Sequence, residues 1–79
     1  MKIITKDLYE ASYLLSKGMQ LQEVFGDQKT ILFQFEGNEN LSVLKNQYEK
    51  GRAEVNVRKL KQNMTLIKDI MFTKIRTIR

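Results

Sequence analysis

The chain predicts a small single-domain α+β fold in which an antiparallel β-hairpin sheet packs with three helices, in the order β-α-β-β-α-(β)-α. Three observations carry that expectation. A capped segment with helical periodicity lies near the N-terminus, an alternating segment is split by a turn, and a long closing segment has apolar residues at three- and four-residue spacing. At 79 residues one domain spanning residues 1–79 is expected. A chain this short buries only roughly 60% of the surface its unfolded form exposes, so its core is thin. With 42% hydrophobic and 29% charged residues, the composition is that of a globular protein rather than a disordered one.

The elements follow in order. "KIIT" is a brief apolar stretch, after which Thr5 is placed to cap a helix over residues 6–17, with Asp7 favourable in its first turn and Gly18 as its left-handed stop. Leu8, Ala11 and Leu15 form its inner stripe. Tyr9 and Tyr13 stand one turn apart on an adjacent face, where a ring can cover the core edge while its hydroxyl stays in water.

Beyond Gly18 the period changes from helical to alternating. Met19, Leu21 and Phe25 share one parity before "GDQK", and Ile31, Phe33 and Phe35 share one after it. That pattern is a β-hairpin with Gly26 and Asp27 supplying the turn chemistry. Phe33 and Phe35 resemble the paired aromatics with which RNA-binding sheets stack bases, but a thin core needs them, and core packing is the expectation.

Asn38 or Asn40 then caps a second helix over residues 41–50, which Gly51 ends and whose inward face is Leu41, Leu44 and Tyr48. Ala53 and Val55 of "RAEV" fit a short edge strand. Asn56 caps the third helix, within a long basic amphipathic segment over 56–79.

This order of residues resembles a small uncharacterised domain family of bacteria and their mobile elements. The resemblance rests on "T-x-D-L-Y-x-A-x-x-L-L-x-x-G" from Thr5, "F-x-F" from Phe33, "Y-x-x-G" from Tyr48, the "V-N" helix start at Val55 and "L-I-K" ending at Lys68. These motifs are mostly fold punctuation. The resemblance implies a setting in a bacterium, phage or other mobile element, and no catalytic or binding residue.

The missing side chains narrow the chemistry. Without Cys there is no disulfide, thiol nucleophile or zinc-thiolate site, and without His the commonest general base and metal ligand are gone. The nine Asp and Glu residues are scattered. No enzyme, cofactor, metal or small-molecule substrate is expected. No apolar run reaches signal-peptide or bilayer-spanning length, so a cytoplasmic protein without a membrane role is expected.

The closing segment carries the sharpest signal. Val57, Leu60, Met64, Ile67, Met71, Ile75 and Ile78 fall within roughly 80° of a helical wheel, a stripe expected to pack on the inner face of the hairpin. Beside it Arg58, Lys61, Lys68, Arg76 and Arg79 fall within about another 80°, interleaved with Thr65 and Phe72. From Val57 onward seven Lys and Arg face only Asp69, a net charge of +6, whereas residues 1–56 carry seven bases and eight acids, a net of −1. Such asymmetry is an electrostatic footprint of nucleic acid or another anionic partner. It is also what a solvated helix face and a favourable C-terminal dipole interaction produce. The expected function is accordingly a non-catalytic accessory protein touching nucleic acid through Arg58, Lys61, Lys68, Arg76 and Arg79. Its competitor is a structural or protein-partner module in which the charges only solubilise. Leu66, Ile70 and Phe72 lie outside the apolar stripe and point to a homo-oligomer interface.

Overall fold

The strand with the aromatic alternation, β3 (Ile31–Glu36), is the centre of a three-stranded antiparallel sheet, flanked by β1 (Lys2–Thr5) and β2 (Gln20–Gly26) in the order β1-β3-β2. The computed structural model describes residues 1–77 and places three helices with this sheet, α1 (Leu8–Ser16), α2 (Asn40–Glu49) and α3 (Val57–Thr77). The α+β class is therefore as the sequence predicts, in the order β-α-β-β-α-α.

Ile31, Phe33 and Phe35 are all buried, the two phenylalanines completely, while Leu32, Gln34 and Glu36 between them are partly open. Ile3 and Thr5 stand opposite Phe35 and Phe33 from β1, and Leu21 and Val24 stand opposite the same pair from β2. Directly opposed residues share a face, so these side chains form the floor of the core. Full burial of one phenylalanine contributes roughly 1.5–3 kcal/mol.

The expected parity fails in β2. An irregularity between Leu21 and Glu23 inserts a residue into the strand, and Val24 rather than Phe25 then faces the core. Phe25 lies opposite Leu32 on the outer face. In the turn the expectation holds: Asp27 Oδ1 accepts from the amides of Lys29 at 2.9 Å and Thr30 at 2.8 Å.

Asp7, not Thr5, caps α1. Its Oδ1 accepts from Tyr9 N at 2.9 Å and Glu10 N at 3.3 Å, while Thr5 Oγ1 accepts from Asp7 N at 3.1 Å. Thr5 is held extended by its register with Phe33, so the helix begins later than predicted. Its burial also exceeds one stripe, because Glu10, Ala11, Ser12, Tyr13, Leu14 and Ser16 are all buried and Leu8 and Leu15 only partly so. Tyr9 stays exposed, but Tyr13 is 2% exposed, and its hydroxyl has no hydrogen-bond partner among the described residues.

Gly18 and Gly51 take φ of +88° and +71°, the left-handed stops expected after the first two helices. At α2, Asn38 Oδ1 accepts from Asn40 N at 2.9 Å, and Leu41 is fully buried with Leu44 and Tyr48 packed beside it. No strand forms at Ala53 and Val55. They pack against the core from an irregular segment instead, since the two sheet edges lie at β1 and β2.

Asn56 Oδ1 accepts from Lys59 N at 3.0 Å and caps α3 as predicted. Along α3 only Ile67 is fully enclosed, with Leu60, Met71 and Ile75 packed against the core. Val57, placed on the stripe by periodicity, is 64% exposed at the helix start, and Ile78 lies outside the described residues. The helix rests more on α1 than on β2, which corrects the expectation that it lies on the hairpin. Serines allow the close approach: Asn63 Nδ2 donates to Ser16 Oγ at 2.8 Å, and Ser16 and Ser12 hydroxyls donate to carbonyls four residues back, each at 2.7 Å.

Candidate nucleic-acid interface

With Ile67 turned inward, the helical repeat aims residues half a turn away from it at solvent. Arg58, Lys61, Lys68 and Arg76 are all exposed, and they share that outward flank with Thr65 and Phe72. Arg79 lies outside the described residues. From Arg58 to Arg76 the flank runs roughly 27 Å at 1.5 Å per residue. Arg76 Nη2 donates to Thr73 Oγ1 at 3.4 Å, a long contact that leaves its charge unopposed. Among the described residues both ion pairs belong to Lys45, so none of the four cations is neutralised by a carboxylate.

The three residues expected at an oligomer interface do not stay together. Phe72, 54% exposed, stands among the cations, whereas Leu66, 47% exposed, and Ile70 lie on the other flank. There Ile70, Asp69, Thr73, Lys74 and Thr77 join Val24 of β2 in lining an open groove of about 350 Å³. Neither the groove nor the acid and base that line it are marked by the charge pattern of the sequence. The available signal was the recurrence of Ile70, Thr73 and Thr77 at three- and four-residue spacing.

A second polar constellation joins α1 to α2. Lys45 Nζ lies 3.2 Å from Glu10 Oε1 and 3.4 Å from Glu49 Oε1, and Tyr48 donates its hydroxyl to Asp7 Oδ2 at 2.7 Å. The Tyr48 ring stacks on Tyr13 with centroids 5.7 Å apart. Burial, and then the bond to the Asp7 carboxylate, raise the Tyr48 phenol well above its ordinary value of 10.0, and burial raises Tyr13. At Lys45 burial opposes the charge, but the Glu10 and Glu49 carboxylates outweigh it and lift the ammonium above its ordinary 10.5. Glu10 is buried and ion-paired and Asp7 is engaged as a cap, so the arrangement ties two helices together rather than presenting a reactive group. Separations of 35 and 41 residues hide these contacts from local pattern.

No helix among the described residues is long and apolar enough to cross a membrane. No curated protein and no solved structure matches the chain. Residues 1–73 match the model of DUF5659, a domain of unknown function, and the chain belongs to that family. The match takes in every element except the last turn of α3, and so includes Arg58, Lys61, Lys68 and Phe72.

Proposed function

For this member of a family of unknown function, we propose a role as a non-catalytic accessory protein of a bacterium or mobile element that contacts a nucleic-acid phosphate backbone through α3. The observation that carries the reading is the run of four exposed cations without carboxylate partners among the described residues, on the helix that holds the whole positive excess of the molecule. A phosphate backbone suits such a surface because each cation that replaces a condensed counterion releases it to bulk. No bidentate base reader with a defined docking geometry accompanies the cations, so binding is indifferent to sequence. A cytoplasmic location belongs to the same proposal.

The test is titration of labelled single- and double-stranded DNA and RNA at about 50 mM salt, where electrostatic affinity is greatest. Binding that falls steeply with salt supports the reading. Changing Lys61 and Lys68 together to Gln then weakens binding uniformly across sequences and flattens the duplex salt slope by roughly 1.8, at about 0.9 per phosphate contact. Absence of binding by the native chain to every one of these probes overturns it.

The exposed Leu66 favours a second reading, a protein-interaction module that self-associates through α3. The two readings use different flanks of one helix and are compatible.

A further inference from the structure

Phe72 is 54% exposed in the middle of the basic flank. At 100° per residue, Lys61 and Lys68 lie about 20° and 40° to one side of it, and Arg58 and Arg76 about 40° to the other. Lys68 and Arg76 each stand one turn away, roughly 6 Å before and after it along the axis. Thr65 is the remaining residue of that sector in α3, so Phe72 is a lone apolar ring set among cations. Its faces are open. Among the described residues the stacked rings are Tyr13 and Tyr48, and the cation held over a ring is Lys17 on Tyr13. Asp69, the only acid of α3, lies about 60° round from Phe72, on the side of the groove.

That setting decides what suits the ring. An apolar protein surface seated on Phe72 strips water from the surrounding cations without neutralising them, which opposes the burial of a single ring. A bilayer interface takes a helix by a continuous apolar face, and the apolar stripe of α3 is already packed on the core. Nucleic acid brings both complements at once, a π-face for the ring and phosphates for the cations on either side of it. We infer that Phe72 is a base-stacking platform and that the nucleic acid lying along α3 is single-stranded. In a duplex the bases stack on one another, so a base reaches the ring only after it is unstacked, whereas the bases of a single strand are free to do so. Every base has a π-face. The contact therefore selects the form of the strand without selecting its sequence. The inference rests on the phosphate-backbone reading and names the class of nucleic acid which that reading leaves open.

The test is fluorescence anisotropy of the full chain at about 50 mM salt with three labelled DNA probes of one length, namely a mixed-sequence single strand, its duplex and a single strand of abasic nucleotides. The native chain binds the base-bearing strand more tightly than the duplex and about tenfold more tightly than the abasic strand, which carries the same phosphates. Phe72→Ala lowers affinity for the base-bearing strand about tenfold, while its affinities for the other two probes stay within about twofold and its salt slope is unchanged. Phe72→Trp supplies a second readout. The chain has no Trp, so the indole it introduces reports alone, and its emission is quenched by the base-bearing strand and not by the abasic one. Circular dichroism checks that both variants keep their helices, and if Phe72→Ala unfolds, the indole carries the test. A native chain that binds base-bearing and abasic strands equally, or an indole unquenched by a bound base-bearing strand, overturns the stacking platform and leaves the backbone reading standing. Tighter binding of the duplex than of the base-bearing strand overturns the single-strand assignment. Failure to bind any probe overturns both readings, and uptake by vesicles of phosphatidylcholine and phosphatidylglycerol in that case assigns the flank to a membrane surface.

Discussion

The helices α1 and α3 pack against each other and both were legible as amphipathic, yet α1 buries six of its nine residues and α3 one of its 21. The difference follows from their neighbours. α1 is enclosed by β1, α2 and α3, so its polar side chains sit inside and need internal partners: Glu10 takes Lys45, and Ser16 takes Asn63. α3 is held along a single stripe, and its remaining surface carries the cations and the groove. Stability is concentrated around the short helix and surface chemistry on the long one.

The hardest break of this division is beneath α1. Phe33 is fully buried in the same cluster as Ala11 and Leu14, and Phe33→Ala costs about 3–5 kcal/mol, read as a loss of denaturant midpoint or of folding altogether. A variant with unchanged thermal stability would contradict the placement of the core.

The two helix caps sharpen the contrast. Asn56→Ala at α3 loses one capping bond and costs about 1 kcal/mol. Asp7→Ala at α1 removes a cap and also strands the Tyr48 hydroxyl, so about 2 kcal/mol or more is expected in the same denaturation experiment. Equal effects at the two sites would mean that the Asp7–Tyr48 contact contributes nothing.

The polar constellation around α1 also predicts a direction with pH. Tyr13, Tyr48 and Lys45 all have folded pKa values above their unfolded ones, so the folded state holds these protons more tightly. Their contribution is fully present well below pH 10.0, the pH at which the unfolded tyrosines are half-ionised, and is lost as pH rises through the folded values. Chemical denaturation on both sides of pH 10.0 checks this, and Tyr48→Phe should flatten the decline.

The smallest effect is expected on the outward flank of α3. Exposed charges contribute little individually, so replacing Lys61 and Lys68 with Gln should move stability by less than about 0.5 kcal/mol, even as it lowers the salt slope of binding. A large destabilisation would assign those lysines to the fold.

How much of this was readable depended on the range of the interaction. The alternation at Ile31, Phe33 and Phe35, the Asp27 turn, the stops at Gly18 and Gly51 and the Asn56 cap involve neighbours within a few residues, and each is found where periodicity and turn chemistry put it. The cationic flank was equally legible, since helical spacing alone sets which side chains share a face. Where pairing across space intervened, local pattern failed. The bulge in β2 exchanged Phe25 for Val24, register with Phe33 kept Thr5 extended and passed the cap to Asp7, and enclosure by three elements buried Tyr13.

Charge distribution, the types of the six elements that form and the candidate cations were thus determined by the sequence itself, because they depend on residue identity and on the period of a helix or strand. Only tertiary packing decided which faces close and which stay open. Contacts between Asp7 and Tyr48, Glu10 and Lys45, and Ser16 and Asn63 join residues 35 to 47 positions apart, and no periodicity reaches that far. The groove beside Val24 is of the same kind, since one wall comes from a strand whose inner face a bulge selected and the other from a helix whose orientation α1 sets.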